Sequence, residues 1–278
     1  MSGLREFLRR FARNRPALLG VIALGIILAA AVVGPLLYPV DPFEMVGRPF
    51  QLPFGRFLLG TDVAGRDLLA GILRGARVSL MIASVATIGA LVIGLLVGAI
   101  SGYYGGIIDN MLMGITDFFL TIPSFVLAVV VVAIFQPSLV TVTAAIAVVS
   151  WPSVARLVRS EVLAQRNRDY VQACRTMGMS NAEIIFLQIL PNALPPIVVV
   201  ASLMVATAIL TESGLSFLGL ADPNVVSWGY MIGVARSALR TAWWMTAIPG
   251  AAILVTVLAI NLIGEGLNDA LNPRLRER

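Results

Sequence analysis

Few side chains in this sequence are equipped for chemistry. It contains no lysine and no histidine, and its single cysteine is Cys174. Without lysine there is no phosphate loop of the form Gly-x-x-x-x-Gly-Lys-Ser/Thr and no Schiff base. Without histidine, and with one thiol, the usual zinc clusters, histidine-based nucleophile triads and an internal disulfide are excluded. No catalytic residue and no metal-ligating set is assigned. Only carboxylates remain. Two of them, Asp117 and Glu212, fall inside apolar stretches, where an ionisable group marks either a substrate or ion path or a polar contact between helices.

The densest polar grouping is an insert, Arg156 to Leu190, whose core runs Asp169-Tyr-Val-Gln-Ala-Cys-Arg-Thr-Met-Gly178-Met-Ser180. Its spacing predicts two short helices broken at a glycine. Asp169 with Gln172 fits a capping box, Gly178 suits the left-handed residue that ends a helix, and Ser180 with Glu183 fits a second capping box. On the first helix Tyr170, Val171, Cys174 and Met177 share one face, while Gln172, Arg175 and Thr176 lie away from it. Two readings of that apolar stripe are open. It docks into a groove on a partner, each side chain contributing roughly 1.5–3 kcal/mol if buried, or it packs back onto the chain's own helices. Cys174 reads as a small apolar residue on this face.

The elements that must present this insert are membrane spans. Of 278 residues 58% are hydrophobic and 13% charged, and mean hydropathy is +0.91, far from the soluble pattern. Six continuously apolar runs are about long enough to cross a core of roughly 30 Å as helices: 17–38, 78–102, 111–135, 139–154, 193–220 and 242–264. The alternation of a membrane barrel is missing. The first run exceeds a typical signal core, so it is read as a retained span despite the preceding arginines. The expected fold class is therefore all-α and polytopic, one leading span at 17–38 followed by an external segment at 39–77 and a five-helix core at 78–267.

Arginine placement orients these spans. Thirteen of the twenty basic residues fall on the tails and the insert: Arg5, Arg9, Arg10, Arg13 and Arg15, then Arg156, Arg159, Arg166, Arg168 and Arg175, then Arg274, Arg276 and Arg278. Seven fall on the other side, so the tails at 1–16 and 268–278 and the insert at 156–190 are expected to be cytoplasmic. The net charge of +5 then needs only membrane orientation and anionic lipid, not nucleic acid, to account for it. Within this frame Asp117 lies near the cytoplasmic end of its span and Glu212 near the outer surface, both weak path candidates.

The second span carries Ala86, Ala90, Gly94, Gly98 and Gly102 at every fourth position, a smooth track for close helix packing. Outside the membrane, residues 39–77 open with Pro39, Pro42, Pro49 and Pro53, and close with an apolar face of Leu68, Leu69, Ile72, Leu73 and Ala76 expected to form an interfacial amphipathic helix. A second external segment spans 221–241.

These residues resemble a known family. Gln172-Ala-Cys-x-x-x-Gly178 followed by Leu190-Pro191 is similar to the Glu-Ala-Ala-x-x-x-Gly cytoplasmic motif of binding-protein-dependent ABC importer permeases. Leu59-Gly-Thr-Asp-x-x-Gly-Arg-Asp67, Gly75-Ala-Arg-x-Ser-Leu80, Leu215-Ser-Phe-Leu-Gly-Leu220, Ser227-Trp-Gly-Tyr-Met231 and Asp269-Ala-Leu-Asn-Pro-Arg274 resemble the second permease subunit of dipeptide, oligopeptide and nickel importers. In this chain Gln172 and Cys174 replace the motif's glutamate and second alanine. The resemblance implies a permease fold in a bacterial or archaeal cytoplasmic membrane, paired with a homologous permease. It further implies an external solute-binding protein and two cytoplasmic ATPase subunits that hold ATP and Mg²⁺, this chain binding no cofactor. The coupling helix would comprise Tyr170, Val171, Gln172, Ala173, Cys174, Met177, Gly178 and Ser180.

Peptides are the leading cargo, because that is the commonest assignment in the resembling family; nickel complexes, opines, glutathione and other small solutes stay open. A self-sufficient carrier or channel would need Asp117 or Glu212 as a coupling-ion site, and an intramembrane enzyme would need a convergent catalytic group that is not found.

Overall fold

The computed structural model describes residues 11–271. The arginines at 5, 9, 10, 274, 276 and 278, and the end of the last family-like motif, lie outside them. Among the described residues the chain is helical, with two isolated antiparallel bridges, Met45 to Arg66 and Thr61 to Asp67, in place of any sheet. Among the described residues five helices are long and apolar enough to cross a membrane, and a bent helix pair brings the number to six if it is counted as one span.

Helix α1, Arg15–Leu37, starts where the Asn14 side chain accepts a bond from Ala17 N at 3.1 Å and Pro16 occupies the first turn, a favourable start on both counts. It lies against the last helix. A Cβ on Gly20 would stand 2.6 Å from the Ala259 carbonyl, and Asn14 Nδ2 donates to Asp269 at 3.0 Å.

Residues 38–67 form a turn-rich cap that organises itself through the Leu59 to Asp67 motif. Thr61 Oγ1 donates to Arg48 O and accepts from Gln51 N, and one Asp62 oxygen accepts from both Ala64 N and Arg66 N at 2.8 Å. Asp67 closes it as the N-cap of the next helix, accepting from Leu69 N at 2.7 Å. Its other oxygen takes the Tyr38 hydroxyl at 2.6 Å, a bond that pushes the phenol up to about 12.

That next helix, α2, runs unbroken over Leu68–Tyr104, 37 residues or about 55 Å. The separate interfacial helix expected over Leu68 to Ala76 is thus corrected: the segment is the first part of the long helix that carries the second span. Between 68 and 104 there is no proline, and the change from charged to apolar side chains alters the solvent a helix faces without altering its backbone period.

The third span is corrected too. Helix α3, Gly106–Thr121, and α4, Ser124–Phe135, meet at 86°. Ile122 is extended (φ −90°, ψ 127°) because Pro123 follows it and disfavours the helical region for its predecessor.

Helix α5, Leu139–Arg166, is capped by Ser138, which accepts from Thr141 N at 3.1 Å, and reaches well into the expected polar insert. Helix α6, Asp169–Thr176, is the short one. Helix α7 then runs over Asn181–Phe217, with a π-helical stretch at Ile184–Ile189 and prolines at 191, 195 and 196. The second short helix of the insert is therefore the first turn of a span. Helices α8, Trp228–Ala235, and α9, Trp244–Leu271, complete the chain; α9 takes in residues 268–271, expected as tail.

The inner seam is α2 on α5. Ala86, Ala90, Gly94, Gly98 and Gly102 are all buried, and Val154, Val158 and Val162 recur at every fourth position opposite them, each fully enclosed. A Cβ on Gly94 would meet Val154 Cβ at 2.5 Å, and one on Gly102 would meet the Arg159 carbonyl at 2.8 Å. Small residues on one helix let the valine row of the other reach the backbone.

Candidate functional site

The insert folds as a helical hairpin at the end of α2 and α5. Gly178 adopts φ +78°, Gly178 N donates to Arg175 O at 3.0 Å and Met179 N to Cys174 O at 3.1 Å. This pair of bonds defines a Schellman motif, with glycine at the left-handed position. On the far side of the turn Ser180 and Glu183 form the second capping box. The first box does not form. Asp169 is the first residue inside α6 rather than its cap, the position before it being Arg168 with no side-chain bond.

The apolar stripe turns inward. Val171 is fully buried, Cys174 is 6% exposed, and both join a cluster with Tyr103, Val158, Val162 and Ile185. Tyr170 is half-buried, its hydroxyl donating to Gln165 Oε1 at 3.1 Å. Of the four stripe residues only Met177, at 71% exposure, faces out. Val171 and Cys174 are therefore corrected from docking residues to anchors of the hairpin, because α2 and α5 bring an apolar seat to them. The outward face carries Gln172, Ala173, Thr176 and Met177, with Gly178 and Ser180 exposed at the turn.

Residues missed in the sequence fasten this hairpin to the spans. Tyr103, at the C-terminal end of α2, donates its hydroxyl to Asn181 Oδ1 at 2.8 Å and lies under the Arg175 guanidinium, 5.4 Å from ring centre to Cζ. It therefore touches both arms of the hairpin. Arg166 Nη1 donates to the Gly102 and Tyr103 carbonyls. Arg159 grips Asp109 through Nε and Nη2, both at 2.6 Å, and Ser101 Oγ bonds the same carboxylate. The only sequence signal was charge at the ends of apolar runs, with no indication of pairing across 50 positions.

Removing Arg159 leaves Asp109 without its two-pronged partner. Side-chain exposures of 34% and 14% place the pair between a surface and a buried one, and solvent screening reduces its worth accordingly. Arg159→Ala is expected to cost about 2 kcal/mol, measured as a lower thermal midpoint of the detergent-purified protein, with Arg159→Lys recovering part of it.

The two path candidates separate. Glu212, expected as a weak path residue, is enclosed instead: it is 3% exposed, and its Oε1 accepts from Ser216 at 2.8 Å and Ser227 at 2.7 Å. It ties α7 to the start of α8, where Gly229 approaches so closely that a Cβ would lie 2.6 Å from Oε2. Asp117 pairs with Arg156 at 2.6 Å, and both side chains are 56% exposed.

What the hairpin leaves open to contact is the face of Gln172, Ala173, Thr176 and Met177. A family model described as binding-protein-dependent transport system inner membrane component matches residues 90–277. The chain belongs to that family. The permease also matches, over residues 2–53, the N-terminal TM domain of oligopeptide transport permease C. It is 41% identical to the di/tripeptide transport system permease protein DppC of Pseudomonas aeruginosa, over 99% of this chain and 93% of that one. It is 40% identical to the dipeptide transport system permease proteins DppC of Haemophilus influenzae, over 99% and 96%, and of Escherichia coli K12, over 100% and 95%. Among solved structures it is similar in fold to an inward-facing MetNI methionine ABC transporter chain. That match has a TM-score of 0.60 and 21% identity, covering 73% of the permease and 96% of that chain. The permease is thus a multi-pass inner membrane component of a binding-protein-dependent transport system.

Proposed function

We propose that this permease is half of the translocation path of an ATP-driven peptide importer and that the α6 hairpin receives an ATPase subunit. A homologous permease supplies the other half, an external binding protein delivers the cargo, and two cytoplasmic ATPases hold ATP and Mg²⁺. The observation that carries this reading is a hairpin locked to two spans by Tyr103, Val171 and Cys174 while Gln172, Ala173, Thr176 and Met177 stay uncovered. The full-length likeness to relatives named for di- and tripeptide transport supports the cargo. Push on the outward face and the force passes through Tyr103 into α2 and through Asn181 into α7. Alternating access then follows as rocking of the two permeases against each other.

Orientation is tested by labelling. Cys174 is too enclosed to report, so the probe is Thr176→Cys in a Cys174→Ala chain, Thr176 being exposed at the end of α6. An impermeant maleimide is expected to label it in inside-out vesicles and not on intact cells. Labelling on intact cells would place the hairpin outside and end the coupling assignment. Cargo is tested by thermal shift of the binding protein encoded beside this chain: stabilisation by dipeptides is expected, and stabilisation by nickel complexes or another solute alone would replace peptides.

A further inference from the structure

Helices α3 and α5 carry one exposed polar stripe each within otherwise apolar spans. On α3, Asn110, Asp117 and Thr121 fall at i, i+7 and i+11, within about 40° of one another at 3.6 residues per turn, and all three are exposed. On α5, Ser153, Arg156 and Ser160 fall at i, i+3 and i+7 and are likewise exposed, opposite the buried row of Val154, Val158 and Val162. The 2.6 Å bond from Arg156 to Asp117 joins the two stripes.

Arg156 lies 17 residues beyond Leu139, where α5 begins, or about 25 Å along a helix that crosses a core of roughly 30 Å. Both side chains of the pair are 56% exposed, and a charged group is better served by water than by lipid tails, at a cost that rises from the interface to about 2.5 kcal/mol or more at the bilayer centre. Met111 and Ile115, also exposed but wholly apolar, lie on a different side of α3, the side suited to lipid. A polar stripe of this kind is suited to water inside the assembled transporter rather than to lipid.

We propose that this stripe lines the inner part of the translocation path and that the Asp117–Arg156 pair is a transient site for the charged ends of a zwitterionic peptide. Asp117 takes the terminal ammonium and Arg156 the terminal carboxylate, each exchanging one ionic partner for another. Because the pair is mutually satisfied when empty, it leaves no uncompensated charge between cargo molecules. Because it is exposed, its affinity stays low enough for release. This inference rests on the peptide reading above and adds the groups that meet the cargo.

The test uses the whole reconstituted transporter with Cys174→Ala and one new cysteine, Ser153→Cys or Thr121→Cys, against Ile115→Cys. A negatively charged methanethiosulfonate reagent is expected to label the first two quickly and the third not at all. Dialanine is expected to slow labelling of the first two by about tenfold, the scale of a charge-assisted hydrogen bond. That protection should vanish in Asp117→Asn/Arg156→Gln, with co-purification of all subunits as a monodisperse complex serving as the folding control. Unlabelled stripe cysteines, or labelling that dialanine never slows, overturn the proposal even where the parent complex imports dialanine. Failure of the parent complex to import any dipeptide overturns the peptide reading, and the cysteine labelling still decides whether the stripe faces water. A double variant that assembles and keeps full protection rules out the ion pair as the site.

Discussion

A Gly98→Val chain is expected to be nearly absent from the membrane. At this position a Cβ would collide with the Ala155 carbonyl and come within 2.7 Å of Val158 Cβ and 3.0 Å of Arg159 N. Two of those neighbours are backbone atoms, which cannot rotate away. Forcing extra methyl groups into such a seam costs about 3 kcal/mol or more, a large share of the roughly 5–15 kcal/mol that holds a typical domain together. The readout is the amount of monodisperse protein recovered in detergent. Gly25→Ala is the matched control, because nothing lies within 4 Å of a Cβ there, and it is expected to accumulate normally. Equal recovery of Gly98→Val would show that the α2–α5 seam is looser than its geometry states.

Gly178→Val is expected to lower uptake on the order of tenfold while leaving the permease in the membrane and its spans assembled. The cause differs from that at Gly98. Nothing stands within 4 Å of a Cβ on Gly178, so the penalty is purely conformational: φ +78° costs a side-chain-bearing residue about 1–2 kcal/mol, and a β-branched one is the worst fit. Moving out of that region breaks the bonds from Gly178 N and Met179 N that end α6, and the outward face of Gln172, Ala173 and Met177 loses its fixed pose. Gly178→Asn, which tolerates the left-handed region, is expected to retain most of the uptake. ATPase activity uncoupled from transport in the valine variant would complete the case, whereas unchanged uptake would remove the hairpin from the coupling route.

The apolar runs, the helical class, the small-residue track and the glycine break were legible because each depends on local pattern: hydropathy over about twenty residues, a four-residue repeat, a left-handed residue before a capping box. What the pattern hid depends on where distant elements land. Val171 and Cys174 form a stripe that suits a partner or the chain's own core equally well, and only the arrival of Tyr103, Val158 and Ile185 at the same place decides for the core. The polarity of residues 65–77 suggested a separate helix, yet polarity reports the surrounding solvent, and Leu68–Tyr104 is continuous. Asp169 fits a cap by type, but Arg168 already has the extended conformation (φ −71°, ψ 151°) that begins the helix. Pro123 announced an interruption, but not its size, an 86° bend between α3 and α4.

The glycine-and-valine seam also says where this molecule is able to bend. Two helices whose backbones approach closely along Gly94, Gly98 and Gly102, about two turns, have little slack for sliding or tilting, so α2 and α5 travel there as a single stiff strut leading to Tyr103. Strain applied at the inner end must be relieved in the softer joints beside that strut: the elbow at Pro123 and the overwide turns of Ile184–Ile189, where a hydrogen-bond ladder already skips a rung.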